Sequence, residues 1–337
     1  ISASMFQSCV SLESITIPQS VKTISDCAFQ SCDSLVEVII PDNVTDIGEY
    51  AFSRCDKLTN ITIGEGVTAI GYGNFSECHG LAKITIDSNN QYYSSDEYGV
   101  LFNKDKTELI QYPKGNTRTS YAIPDSVTIV DDKAFYDCDN LTNVTISDNV
   151  TTIGDSLFSL SYNLTSITIG DSVTEISDSA FKSCPNLTDV TIGDNVTTIA
   201  YNAFYNCKSL ASIIIPDSVT EIGNYAFNAC TKLTDVYYPG TEEQWNQITI
   251  GKSNYPLTNS TIHYNYGKFT GIKGDYFYKN DVRQKAYQLV EFEGNYYFIN
   301  DSHKLAKNKT LYLSERFVEG FTYKDGTPLA VGYYEFD

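Results

Sequence analysis

One methionine, one tryptophan and three histidines are spread over 337 residues, and cations are scarce, with 23 Lys and Arg against 42 Asp and Glu. His79, His263 and His303 lie far apart in the chain, and none has a nucleophile beside it. No nucleophile elbow, phosphate-binding glycine loop or carboxylate pair of distinctive spacing is present, so no catalytic residue is expected and the chain does not read as an enzyme. Paired Cys or His ligands two to four residues apart are missing, which leaves no expected metal or cofactor. No apolar run approaches the ~20 residues of a membrane span, so no membrane insertion is expected. The net charge is −19, and Tyr266 to Asp337 holds ten residues of each sign, so the whole excess sits in the first 265. Such a surface repels phosphate backbones and anionic lipid, which excludes nucleic acid as a partner. There is no initiator methionine, no signal peptide and no stop-like tail, and the expectation is a piece cut from something longer.

What the chain does have is a period. Phe6, Phe29, Phe52 and Phe75 are each 23 residues apart, and Phe135, Phe158, Phe181, Phe204 and Phe227 resume the interval. Leu12, Leu35, Leu58 and Leu81 keep the same step, as do Ile17, Ile40, Ile63 and Ile86. The unit reads L-x-x-I-x-I-P-D-x-V-x-x-I-x-x-x-A-F-x-x-C-x-x, within the 20–29 residues of leucine-rich repeats. Ile61-Thr62-Ile63 alternates, as a short strand with two inward residues does. Val44, Ile47, Ala51 and Phe52 are spaced by three to four, as in a helical turn. One such unit cannot bury both its faces, so successive units must stack. The expected fold is a right-handed leucine-rich repeat solenoid over residues 1–265 with a parallel β-sheet on one face, followed by a small all-β hairpin domain over 266–337.

The cysteines follow the repeat. Cys9, Cys32, Cys55, Cys78, Cys138, Cys184, Cys207 and Cys230 each lie three residues after the repeat Phe, Ser161 takes the place once, and only Cys27 is out of frame. That regularity suits buried thiols rather than a disulfide framework. One rung is longer. Ile86 and its equivalent Ile123 are 37 apart, and Gly99–Phe102, Asn103–Lys106 and Glu108–Tyr112 read as a β-hairpin in an insertion at about 92–113, projecting from the rod or lying along one edge. Near the other end, Thr241-x-x-Gln244 is a capping-box pattern opening a short helix whose Trp245 covers the end of the core, in a cap at about 236–265.

These columns, with A-F-x-x-C and I-P-D-S-V-T, resemble the BspA-like, Treponema-type leucine-rich repeat family of bacterial surface proteins. Tyr92–Pro113 is similar to the hairpin rung of that family, and Val236–Trp245 with Ile262-His263-Tyr264 to its terminal cap. The resemblance implies a secreted or surface-attached protein that binds a host or bacterial surface protein or glycan, with no shared catalytic residue. Asp275–Asp281 and Asn295–Asp301 repeat an aromatic run followed by a polar turn and resemble wall-binding repeats. That likeness implies a Gram-positive wall polymer as partner through 266–337, carried by Tyr276, Tyr278, Tyr296 and Tyr297 with the repeats as spacer. These units lack tryptophan, which disfavours a quaternary ammonium ligand.

Two surface columns remain. Asp42, Glu65, Asp125, Asp148, Asp171, Asp194 and Asp217 follow the strands, where turn chemistry favours Asp, and no glycine-rich calcium signature accompanies them. The outward strand position is mostly Thr, and its exceptions Ile39, Ile214 and Tyr237 are the candidate partner-binding residues of the repeats, since exposed apolar positions mark interaction sites.

Overall fold

In this computed structural model, residues 1–264 and 266 are described in full, and from 271 onward the backbone of the strands alone. The chain falls into two compact units, residues 1–236 with 242–262, and residues 237–241 with 263–337. In the second unit Gly271–Lys273, Tyr276–Lys279 and Val282–Arg283 form an antiparallel sheet, and Gln288–Phe292 pairs antiparallel with Asn295–Ile299. Lys309–Leu313 pairs likewise with Gly332–Phe336.

The first unit is a solenoid whose rungs each contribute two short strands. Glu37–Ile40, Asn60–Ile63 and Lys83–Ile86 pair in parallel with Val38, Ile61 and Ile84 in register, all three buried. A second parallel ladder runs through Thr23–Ile24, Asp46–Ile47 and Ala69–Ile70. The segment whose spacing suggested a helical turn is therefore corrected. Ile47 belongs to a strand, and Ala51 and Phe52 lie in an arch beyond it. The physical reason lies in where the backbone bonds go. Thr45 N donates to Lys22 O at 2.8 Å and Phe29 N to Ala51 O at 2.8 Å, so many donors reach a neighbouring rung instead of the i−4 carbonyl of a helix. The inward spacing arises because the chain passes the core at successive sides, not because it coils locally.

The regular arches close on two left-handed residues four apart, such as Tyr50 (φ 53°) and Arg54 (φ 60°), or Ser179 (φ 59°) and Ser183 (φ 60°). Between them the repeat Phe turns inward and stacks on its neighbours. Phe6, Phe29 and Phe52 form one stack with centroids 5.1 and 5.2 Å apart. A second runs from Phe135 to Phe227 at 4.9 to 5.5 Å. Offset aromatic pairs of this kind add about 0.5–1.5 kcal/mol each beyond the area they bury.

The cysteine column does more than fill space. Cys55 Sγ donates to Phe29 O at 3.2 Å, Cys78 Sγ to Phe52 O at 3.0 Å and Cys184 Sγ to Phe158 O at 3.1 Å. Ser161, the exception, places its hydroxyl on Phe135 O at 3.1 Å, so the column conserves a donor as well as a volume. All nine thiols are free, and seven are buried. Burial pushes Cys32 up to about 11 and Cys230 up to about 12, and raises Cys184 further.

Two outcomes are expected. At pH 8 a thiol reagent should titrate exposed Cys9 quickly and half-buried Cys27 slowly, and the other seven only in denaturant. Rapid reaction of more than two thiols in the native protein would contradict the buried column. Phe181→Ala, in mid-stack, should lower the free energy of unfolding by about 3–5 kcal/mol in a denaturant titration.

Candidate functional site

The long rung is where the solenoid departs from its own rules. Tyr93–Ser95, Leu101–Asn103 and Glu108–Gln111 form an antiparallel meander, as the hairpin pattern predicts. It does not project from the rod. Glu108–Gln111 pairs in parallel with Ile129–Val130 and so serves as a rung of the second ladder. Tyr112 then takes the place of the repeat Phe, stacking on Phe135 at 5.1 Å. Gly99, at φ 78°, lets the meander touch the first ladder, since a Cβ there would meet Lys83 and Ile84 within 3 Å. Ile84 N donates to its carbonyl at 3.1 Å.

This rung is also too short at one corner. In the flanking rungs the inward strand residue lies five positions before the repeat Phe, as Ile70 before Phe75 and Val130 before Phe135. Leu109, paired with Val130, lies only three before Tyr112. The two missing residues belong to the corner that carries the first left-handed residue. That column runs Tyr50, Gly73, Lys133, Ser156, with no member on the Tyr112 rung. The rungs before and after therefore face each other across a notch of about 400 Å³. Ile70, Leu101, Ile110 and Ile129 give it apolar walls, and Tyr72, Asn74, Gln111, Asp131 and Lys133 supply polar groups.

Asp131 stands beside the missing corner. Its column holds Gly71 and Gly154 in the nearest regular rungs, where a Cβ would lie 2.3–2.6 Å from the preceding rung's backbone, Ile110 on the shortened rung, and Ser177 and Ala200 further on. Asp131 follows the shortened rung and lines the notch. It hydrogen-bonds the Glu108 carboxyl, and burial, followed by that bond and the Glu108 charge, raises it well above the usual carboxylate range. Across the mouth Lys133 Nζ donates to Tyr72 Oη at 2.6 Å and lies 5.2 Å from the Tyr72 ring centre.

The other corner of the arch is braced. Arg54, Glu77, Lys114 and Asp137 occupy successive rungs of one column with alternating sign. Arg54 Nε is 2.9 Å from Glu77, and the buried Lys114 Nζ is 2.9 Å from Asp137. His79 spans the seam, with Nδ1 2.9 Å from Asp56 and Nε2 3.0 Å from Asp137. Its surroundings make it a brace between rungs. Among the described residues, no group of three or more His, Cys, Asp or Glu is arranged to hold a metal ion, and no helix is long and apolar enough to cross a membrane.

The acidic turn column has a structural task. Asp171 Oδ1 accepts from Asp194 N at 2.9 Å, and Asp42 Oδ1 from Glu65 N at 3.3 Å, each bridging to the next rung. A second acidic column does the same at the corner: Asp132 Oδ1 accepts from Asp155 N at 2.7 Å and Asp178 Oδ1 from Tyr201 N at 2.9 Å. Sequence reading did not pick out that second column or the notch. The signal for the notch was Tyr112, 23 residues before Phe135 with Leu109 only three before it.

The predicted partner-binding residues are scattered. Ile39 is 61% exposed and Ile214 is 39% exposed, but they stand on different sheets of the first ladder, seven rungs apart in their column. Tyr237 is half-buried, stacked on His263 at 4.6 Å and against Tyr266 at 4.3 Å. Trp245 is buried at the end of the four-residue helix Glu242–Trp245. Tyr276 and Tyr278 share one strand and Tyr296 and Tyr297 another, while their side chains lie outside the described residues.

A solenoid of stacked parallel rungs with its side chains in columns defines a repeat protein of the leucine-rich type. Residues 1–118 and 113–234 match the BspA type leucine rich repeat region in six copies, and the chain belongs to that family. A leucine rich cell surface protein from Faecalibacterium prausnitzii A2-165 is similar in structure, at 32% identity over 73% of this chain and 71% of that one, with a TM-score of 0.61. A leucine-rich repeat protein from Bacteroides ovatus is 25% identical over 78% of this chain and 80% of that one, with a TM-score of 0.44. No curated protein matches the chain.

The raised Asp131 carboxyl sets a pH dependence. Its contribution favours the fold below its unfolded value near 4 and is lost as pH rises through about 7. The melting temperature should therefore be lower at pH 8 than at pH 5. Asp131→Asn should shrink that difference but not remove it, because Asp155 and Asp194 are raised in the same direction by burial and by neighbouring acids. Equal slopes for wild type and variant in thermal melts would contradict this assignment.

Proposed function

We propose that this chain is a non-catalytic binding protein of the bacterial cell surface, secreted or attached, that presents its repeat face to a protein or glycan partner. The observation that supports this most directly is the exposed outward face of the ladders. Its backbone bonds are satisfied rung to rung, as Thr68 N on Thr45 O at 2.8 Å and Thr197 N on Thr174 O at 2.8 Å illustrate. Little backbone freedom is then lost when a partner docks, which favours binding by a preordered surface. The similarity to a leucine rich cell surface protein supports the location. The family resemblance supports adhesion to host matrix proteins or to other bacteria.

The test is capture of the full chain on immobilised host matrix proteins, on intact cells of other bacteria and on purified Gram-positive wall polymer. Saturable binding to a matrix protein or to cells is expected, weakened about tenfold by Ile39→Asp or Ile214→Asp if the first-ladder face makes the contact. Binding to wall polymer alone, abolished by Tyr276→Ala with Tyr296→Ala, would move the function to residues 266–337. Binding to none of the three surfaces would overturn the reading.

A further inference from the structure

We propose that the notch beside the Tyr112 rung receives the basic side chain, guanidinium or ammonium, of a protein partner. The proposal rests on the surface-binding reading and names the chemistry of one contact within it. The notch has the size and the acceptors to hold a cation. The notch holds about 400 Å³, room for the end of an arginine or lysine side chain. Asp131 lines the notch and hydrogen-bonds the carboxyl of Glu108, which is not a lining residue, and no ion pair among the described residues reaches either of them. Lys133, which lines the notch, donates to the Tyr72 hydroxyl and not to a carboxylate, while Lys114 pairs with Asp137 and Arg54 with Glu77.

Asn74 adds an acceptor of a different kind. It lines the notch, is 3% exposed, and its Oδ1 has no donor, while its Nδ2 is held by Gly48 O at 2.8 Å and Gly71 O at 2.7 Å. The comparable residue at the end of the solenoid, Asn254, holds two carbonyls in the same way, but its Oδ1 is satisfied by Phe227 N at 2.9 Å. The difference leaves a buried oxygen at the seam that an N–H donor would complete. The walls suit the rest of such a side chain, because Ile70, Ile110 and Ile129 can cover its methylene stem and the 43% exposed Tyr72 stands at the rim. A guanidinium is weakly hydrated and carries several donors in one plane, which fits a partly desolvated site with two kinds of acceptor. At longer range the net charge of −19 draws in a basic partner.

The test is an NMR titration of the full chain with capped arginine amide, and with capped citrulline amide as a neutral match in shape. Arginine should shift resonances of residues 71–76, 110–111 and 131–133 saturably, with citrulline at least tenfold weaker. Asp131→Asn should weaken arginine binding at least tenfold. Asn74→Ala restores the residue found at this position in most rungs, so it should fold normally and still bind arginine more weakly. Shifts elsewhere only, equal response to citrulline, or undiminished binding by Asp131→Asn would overturn the proposal. The surface assay separates the two readings. Partner capture that Asp131→Asn leaves intact removes the notch and keeps the binding function. Arginine in the notch of a chain that captures no surface partner does the reverse.

Discussion

The hydrogen bond from one rung to the next, repeated every 22 to 24 residues, is the constraint on which the solenoid unit depends. A rung has too few residues to satisfy its own backbone groups or to bury both its faces. Its donors must find carbonyls on a neighbour at the spacing of β-strands. Once Phe29 N is committed to Ala51 O, like residues are brought over like, and each column acquires one physical task. Phe stacks on Phe, Asp caps the next rung's amide, and the thiol of Cys55 reaches the carbonyl of Phe29. Gly154 persists in its column because the backbone of the rung before leaves no room for a Cβ.

The same constraint makes any departure informative. The hairpin insertion breaks both ladders, and the chain resumes with a rung two residues short at one corner. One side of that seam is closed by polar bonds, with His79 and Lys114 converging on Asp137. The other side stays open as the notch, where Asp131 occupies a position held by glycine at 71 and 154. A carboxyl pair and an unsatisfied amide oxygen are costly in a scaffold otherwise built of matched bonds. Their concentration at the one shortened corner is what gives the notch a chemical identity, and a repeat face alone has none.

Much of this was legible in the residues. The 23-residue interval of the Phe, Leu and Ile columns points to stacked rungs, and Asn103–Lys106 between two apolar runs points to a hairpin. The buried thiols were legible from their frame. The second strand was not, because two inward residues flanked by an arch give the same three-to-four spacing as a helical turn. Local periodicity records which residues face the core; it does not record whether their amides bond four residues back or one rung away. Ile39 and Ile214 were correctly read as outward, but a column number carries no information on whether a partner could touch both.

The sequence by itself determined the period, the inward and outward faces and the identity of each column, because these follow from a repeat that must pair with itself. Only the tertiary structure decided that Glu108–Gln111 replaces a rung, that Leu109 stands too close to Tyr112 for the corner to form, and that Asn74 and Asp131 come to line one notch. Those facts depend on the register between segments of unequal length, and register is set by backbone pairing in space, which no single stretch of residues encodes.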